Sequence, residues 1–328
     1  MLQRPDYLRD STEVSTDPFS DVLDLADARS VVSGGFVAGG RWAIRFPPPK
    51  KIKFFGVVRG SCLLLRGHST TRLETGDVFL LSAATGFVLA SDRKATPIDA
   101  ATLFTPGSGA IVDVNGQDDC FMIGGHVQLD ALRGDLLAHV LPPLVHVRAA
   151  TPQAAPLQWL LAQLVRERTA ELPGASLVIA QLAQLMLVQI LRAHLAESGP
   201  LSTGWLRATS DARLAPALRL MHGDPAHPWQ LGELAKAAGM SRTTFAFHFK
   251  AVAGVAPLAY LTEWRMRLAQ RALREESTPI AELARSLGYT SESAFSNAFK
   301  RVTGEAPKRY RTAARSEPRV RDDQSEAS

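Results

Sequence analysis

Residues 231–260 read LGELAKAAGMSRTTFAFHFKAVAGVAPLAY, and residues 280–310 read IAELARSLGYTSESAFSNAFKRVTGEAPKRY. The two stretches are one pattern written twice. Glu233-Leu234-Ala235 and Gly239-Met240-Ser241 return as Glu282-Leu283-Ala284 and Gly288-Tyr289-Thr290. Phe245, Phe249, Lys250, Gly254, Pro257 and Tyr260 return as Phe295, Phe299, Lys300, Gly304, Pro307 and Tyr310. The offset is 49 residues from Glu233 to Glu282 and 50 from Phe245 to Phe295, so the second copy carries one extra residue in its turn.

Each copy predicts a helix, a tight turn and a second helix. Leu231, Leu234 and Ala235 are spaced to face inward, as are Ile280, Leu283 and Ala284. Gly239 and Gly288 fall where a helix ends at positive φ. Ser241 in the first copy, and Thr290 or Ser291 in the second, can cap the next helix through a side-chain oxygen. Phe245 and Phe249, like Phe295 and Phe299, are four residues apart and pin the second helix onto the first. That is a helix-turn-helix. Thr278-Pro279 predicts a cap followed by proline at the first helical position. Gln230 is a poorer cap, and Gly232 weakens its turn by about 1 kcal/mol relative to alanine.

Between the copies, Leu258 to Arg274 contains no Pro or Gly and predicts one continuous helix of about 25 Å. With the flanking helices, the two second helices would stand about 34 Å apart, one turn of B-DNA. Residues near the start of such helices reach base edges, which selects Arg242, Thr243, Ala246 and Phe247 in the first copy and Glu292, Ser293, Ser296 and Asn297 in the second. Arg242 can bond guanine or a phosphate, Thr243 and Ala246 can touch a thymine methyl, Asn297 can bond adenine and Glu292 can accept from cytosine. Ser241, Lys250, Ser291, Lys300, Arg301, Lys308 and Arg309 suit phosphates, which fix register without reading sequence. The plainer alternative for each of these side chains is a solvated helix face.

The run Gly288-Tyr289-x-Ser291-x-Ser293-x-Phe295-Ser296-x-x-Phe299-Lys300, with the ending Gly304-x-x-Pro307-x-x-Tyr310-Arg311, resembles the AraC/XylS family of bacterial transcription regulators. The resemblance covers Ala212 to Arg311. Phe247 departs from it, since the family commonly has a basic or polar residue there. A looser resemblance runs from Asp21 to Leu141-Pro142-Pro143, resting on Gly60, Leu73-Glu74-x-Gly76-Asp77 and Pro142-Pro143, and points to a cupin-type regulatory domain. Together they imply a homodimer that binds double-stranded promoter DNA, raises or lowers transcription with RNA polymerase as a partner, and responds to a small-molecule effector.

The rest of the chain fits an α+β protein. From Phe36 to Leu129, short runs such as Trp42–Phe46, Ile52–Val58, Cys62–Leu65, Val78–Leu81 and Phe121–Ile123 alternate with Gly, Pro and polar turns, the texture of an antiparallel barrel or jelly roll. Arg59-Gly60-Ser61 reads as a hairpin turn, and Thr75-Gly76-Asp77 precedes a further strand. Helical texture begins near Thr151, with Leu157, Leu160, Leu161 and Leu164 on one face, and a second helix is expected from Ser176 to Leu195. That helix gathers Gln181, Gln184, Gln189 and Arg192 on one side, which argues against a membrane span. Its apolar remainder suits either a dimer interface or packing on the barrel. The expected organisation is a flexible N-terminus (1–20), a cupin-like regulatory domain (21–150), a helical connector and dimerisation segment (151–199), a linker (200–210), the double helix-turn-helix (211–313) and a disordered tail (314–328).

Charge and composition bound the function. The chain has 328 residues and a net charge of +5. Between Asp211 and Ala313 stand 15 Lys/Arg against nine Asp/Glu, so this segment holds the whole excess. Two cysteines, Cys62 and Cys120, and no visible signal segment suit a cytoplasmic, nucleoid-associated protein. The rival reading is a cupin-fold enzyme with an appended DNA-binding domain. It is disfavoured because His68, His126, His139 and His146 lie far apart with no His-x-His pair, and Thr85-Gly86-Phe87 stands where a metal-binding cupin places a histidine. No catalytic residue, metal or cofactor is expected. An effector would enter the barrel mouth, with Trp42, Phe54 and Phe87 as candidate lining residues.

Overall fold

The computed structural model describes residues 17–26, 28–49, 51–82, 85–104, 110–128, 141–170, 172–197, 204–275 and 277–316. His139, the expected linker residues 200–203, most of the expected flexible N-terminus and most of the expected tail lie outside these. By contact the chain divides into two units, Ala26–Leu201 and Ser202–Ser328, the latter taking in Met1–Leu25 as well.

The first unit is a two-sheet sandwich. Its strands are β1 (Arg29–Ala38), β2 (Ala43–Phe46), β3 (Ile52–Arg59), β4 (Ser61–Arg66), β5 (Ser69–Glu74), β6 (Val78–Leu81), β7 (Phe87–Ala90), β8 (Ile98–Asp99), β9 (Ile111–Asp113), β10 (Cys120–Gln128) and β11 (Leu144–Val147). One sheet has the order β11-β6-β3-β10-β1-β9, the other β5-β4-β7-β2-β8. Their inner faces interdigitate, Phe36, Val57, Phe79 and Met122 from the first sheet meeting Ile44, Leu64, Leu73 and Leu89 from the second. The two free cysteines are buried in this core.

One turn departs from expectation. Arg59-Gly60-Ser61 is not a hairpin, because β3 and β4 belong to different sheets. The chain crosses the sandwich there. Gly60 has φ +79°, and a Cβ on it would stand 2.0 Å from the Asp119 carbonyl oxygen, so the crossover admits only glycine.

The short helices α1 (Pro18–Leu25) and α2 (Ala100–Leu103) precede two longer helices that pack on the first sheet. The longer two are α3 (Ala154–Thr169), which begins three residues after Thr151, and α4 (Ala175–Glu197). Leu157, Leu160, Leu161 and Leu164 are all buried, as their spacing predicts. The α4 helix is long and apolar enough to cross a membrane by composition alone. Here it lies on protein: the Gln184 side chain donates to the Ala28 carbonyl at 2.8 Å and accepts from the Ser30 amide at 3.1 Å, extending the bonding of β1.

The second unit is all helix: α5 (Trp205–Ser210), α6 (Ala215–Gly223), α7 (Leu231–Ala237), α8 (Arg242–Ala253), α9 (Pro257–Glu275), α10 (Ile280–Ser286), α11 (Glu292–Thr303) and α12 (Pro307–Ser316). The α5 helix fills most of the expected linker, and α12 runs three residues into the expected tail. The α1 helix belongs by contact to this unit, although residue 21 was the expected start of the regulatory domain. It is fixed by a buried relay. His222 Nδ1 meets Asp21 Oδ2 at 2.9 Å, its Nε2 meets the Tyr260 hydroxyl at 2.8 Å, and its ring stacks on Trp264 at 3.8 Å. Burial lowers the His222 pKa despite Asp21, so the ring is neutral, donating to the carboxylate and accepting from the hydroxyl.

In the sandwich, Asp77 anchors the end of the β5–β6 turn. Its carboxylate accepts from the Glu74 amide at 3.1 Å and the Ala149 amide at 2.8 Å, and meets His146 Nε2 at 2.8 Å. Burial alone would raise this carboxyl, but the His146 ring and the two amides outweigh it and hold it below its ordinary value. Asp77→Ala leaves those donors unsatisfied and should destabilise the sandwich by about 1–3 kcal/mol at pH 7. A depressed carboxylate stabilises above its unfolded pKa and less as pH falls through the folded one, so the gap should shrink below about pH 4. Denaturant unfolding of both proteins across that range checks this; a gap that grows on acidification contradicts it.

Candidate functional site

The duplicated pattern folds as a duplicated structure. Ser241 caps α8 by accepting from the Thr244 amide at 3.2 Å, and Ser291, rather than Thr290, caps α11 by accepting from the Ala294 amide at 3.2 Å. Both helices end on left-handed glycines, Gly254 at φ +78° and Gly304 at φ +82°. Pro257 and Pro307 then open α9 and α12. Phe249 meets Tyr260 edge-on at 5.4 Å and 79°, and Phe299 meets Tyr310 at the same 5.4 Å and 79°. Behind them, Phe245 and Phe249 are 5.6 Å apart and Phe295 and Phe299 5.7 Å.

The first helices of the two copies differ from expectation at their caps. Pro279 is itself the cap residue of α10, one position before the place predicted for it. Gln230 is better served than predicted, since the Glu233 carboxylate accepts from its amide at 2.8 Å and closes a capping box. Gly232 has a use as well. A Cβ there would lie 2.9 Å from Nε of Arg242, so the missing side chain lets that guanidinium lie across the start of α7.

The two copies are joined through α9 and the loop before α7. Arg265 donates to the Pro225 carbonyl at 2.6 Å and the His227 carbonyl at 2.9 Å, and its guanidinium lies 5.8 Å from the Tyr289 ring centre. Gly288, at φ +79°, comes so close to that loop that a Cβ would stand 2.2 Å from the Ala226 carbonyl oxygen. The switch from Met240 to Tyr289 falls at this junction.

Of the predicted base-reading set, Arg242, Thr243, Phe247, Glu292, Ser293 and Asn297 are exposed, and Ala246 and Ser296 half-exposed behind them. Phe247 is 79% exposed. The predicted phosphate set, Ser241, Lys250, Ser291, Lys300, Arg301, Lys308 and Arg309, is exposed throughout. The two capped helix starts therefore present the same face at the same positions.

These features are matched by known proteins. A helix-turn-helix domain model matches residues 234–313, and a cupin model residues 17–196. An AraC-like transcription regulator of Streptomyces antibioticus is 44% identical over 297 residues, 90% of this chain and 98% of its own length. The chain belongs to the AraC family of transcription regulators. A second such regulator, from Streptomyces lividans, is 43% identical over 90% of this chain and 98% of its own. The transcriptional regulator AlkR of Acinetobacter baylyi is 29% identical over 83% and 91%. These relatives are regulators of transcription, not enzymes, and the chain is a DNA-binding regulator with a cupin domain. No cluster of three metal-ligating side chains occurs among the described residues. His146 is engaged by Asp77, and His126 lies elsewhere, at a cavity.

That cavity, of about 600 Å³, opens in the cupin sandwich and is lined by Phe36, Phe46, Phe55, Phe87 and Phe104, with Lys53 and His126 among its few polar groups. Of the three expected lining residues, Phe87 is among its walls, whereas Trp42 and Phe54 do not line it. Trp42 is core, packed edge-on against Phe36 at 5.3 Å. Phe54 points to the other face of β3, the face on which Gly56 meets Leu161 of α3. Its neighbour Phe55 takes the place expected of it. Strand β3 is buried on both faces, so its sequence lacks the alternation that would have told the two apart.

Ser291→Ala should lower the stability of the helical unit by about 1 kcal/mol through loss of the α11 cap. Thermal unfolding followed by tryptophan fluorescence reads this, and an unchanged midpoint would show that the cap is dispensable.

Proposed function

We propose that the protein grips promoter DNA as a homodimer, each copy laying α8 and α11 into successive major grooves of one face. One observation supports this most: two 12-residue helices, capped and locked alike, sit at either end of a single 19-residue helix. That connector rises about 28 Å, of the order of the 34 Å turn of B-DNA. On this reading Arg242, Thr243, Ala246 and Phe247 meet bases in one groove, and Glu292, Ser293, Ser296 and Asn297 in the next. Phe247, large and bare, suits thymine methyl groups. Ser241, Lys250, Ser291, Lys300, Arg301, Lys308 and Arg309 hold the backbone on either side.

The second copy would bind through α4, which leaves Leu177, Val178 and Leu185 exposed. The sandwich cavity would hold a small-molecule effector. RNA polymerase is the partner that regulation of transcription implies, and the setting is the cytoplasm, on the nucleoid.

Oligonucleotides selected from a random pool should share one element of about two helical turns. On that element, Asn297→Ala should weaken binding by about 1–3 kcal/mol and relax preference at one position only. Lys300→Ala should weaken binding on every sequence and lower the slope of log affinity against log salt by about one unit. Equal slopes in Lys300→Ala and the parent would remove Lys300 from the phosphate set. Leu185→Glu should convert dimer to monomer in sedimentation, with the helical unit still folded; a dimer that survives it places the interface elsewhere.

A further inference from the structure

The cavity of the cupin domain has a chemical bias that its apolar walls alone would not give. Five phenylalanines form its sides, and Gly34, Gly35, Gly124 and Gly125 contribute bare backbone. At the rim stand Lys53 of β3 and His126 of β10, paired directly across the two strands. They share the inner face with Phe55 and Gly124, two residues further along each strand. His126 Nδ1 lies 2.8 Å from Ser33 Oγ, and its Nε2 lies 3.5 Å from Lys51 Nζ. An ammonium can only donate, so Nε2 is the acceptor and the ring proton sits on Nδ1, facing Ser33. Burial, then Lys51 and Lys53, push the His126 pKa down to about 4, which keeps the ring neutral. Burial and Lys51 likewise lower the Lys53 pKa.

No aspartate or glutamate is among the described residues lining the cavity, and Lys53 forms no ion pair with one elsewhere among them. A half-buried ammonium beside a second one, facing an apolar chamber, is an unfavourable arrangement unless an anion completes it. A neutral apolar guest would desolvate Lys53 further without recompense, and a cationic guest would be repelled.

We propose that the cavity takes an apolar monocarboxylate, with its body among the phenylalanines and its carboxylate on the Lys53 ammonium. This rests on the reading of the cavity as the effector site and adds the class of ligand. Lys51 supplies a second, solvent-screened charge at the same rim, and neutral His126 holds Lys51 near it. The body is either an aliphatic chain or an alkyl-substituted ring, since both fill a chamber of about 600 Å³ with aromatic walls.

The test is calorimetric titration of the full chain with decanoate and 4-butylbenzoate, each beside its alcohol (decanol, 4-butylbenzyl alcohol), and with decylammonium. At least one carboxylate should bind ten-fold or more tightly than its alcohol, and decylammonium most weakly. Which carboxylate binds better tells chain from ring. In Lys53→Met the preference over the alcohol should fall below three-fold with the alcohol's own affinity unchanged, and Lys53→Arg should restore it. Alcohols that bind as well as the acids, or a preference that survives in Lys53→Met, overturn the carboxylate and its anchor while leaving an apolar effector site. Absence of binding by all five probes at millimolar concentration overturns the proposal and the effector reading together.

Discussion

Each of the two capped helices, α8 and α11, is held by an aromatic contact that the chain makes twice. Phe249 closes edge-on against Tyr260, and Phe299 against Tyr310, at the same distance and angle. In both cases the phenylalanine lies on the exposed helix and the tyrosine just after the glycine-terminated turn that follows it. The contact therefore fixes the direction in which the chain leaves the helix, and with it the outward face. A T-shaped pair is worth only about 0.5–1.5 kcal/mol beyond its burial. Its importance here is geometric, because the face of α8 or α11 is set by the rotation that this pair permits. Tyr260 carries a further load, since its hydroxyl also bonds His222 and so joins α1 to the same centre.

From this constraint the rest of the helical unit follows. The α9 helix begins at the first clamp and runs unbroken to the second copy, where Arg265 and Gly288 lock Tyr289 and α10 against the loop after α6. The two exposed faces are thereby related through a rigid body rather than a flexible tether. The polar residues they present, from Thr243 to Asn297, are exposed or half-exposed, while Phe245, Phe249, Phe295 and Phe299 behind them are buried. Phe247 is the apolar exception that points outward.

The helix-turn-helix pair was legible in the sequence because the same spacing of leucine, glycine and phenylalanine occurs twice. Whatever depends on distant partners was less so. The α1 helix is eight residues long, and its meaning lies in a hydrogen bond to His222, 201 positions away. The crossover at Gly60 has the local chemistry of any tight turn, and only sheet order separates it from a hairpin. Trp42 and Phe54 looked like cavity residues because an aromatic in a strand announces burial without saying on which face. In Phe54-Phe55 that ambiguity is complete, because helices cover one side of β3 and the second sheet the other. Lys53 and His126, the polar groups of the cavity, lie 73 residues apart in sequence and meet only through the register of β3 with β10.

On the proposed reading, one polypeptide enters two neighbouring grooves at a separation set by α9. Hydroxyl-radical footprinting on a selected binding site measures that separation directly. Two protected patches per copy are expected, on one face of the duplex and about one helical turn, 10–10.5 base pairs, apart, with Arg242→Ala weakening one patch and Asn297→Ala the other. A single patch per copy, or two on opposite faces of the duplex, would contradict it.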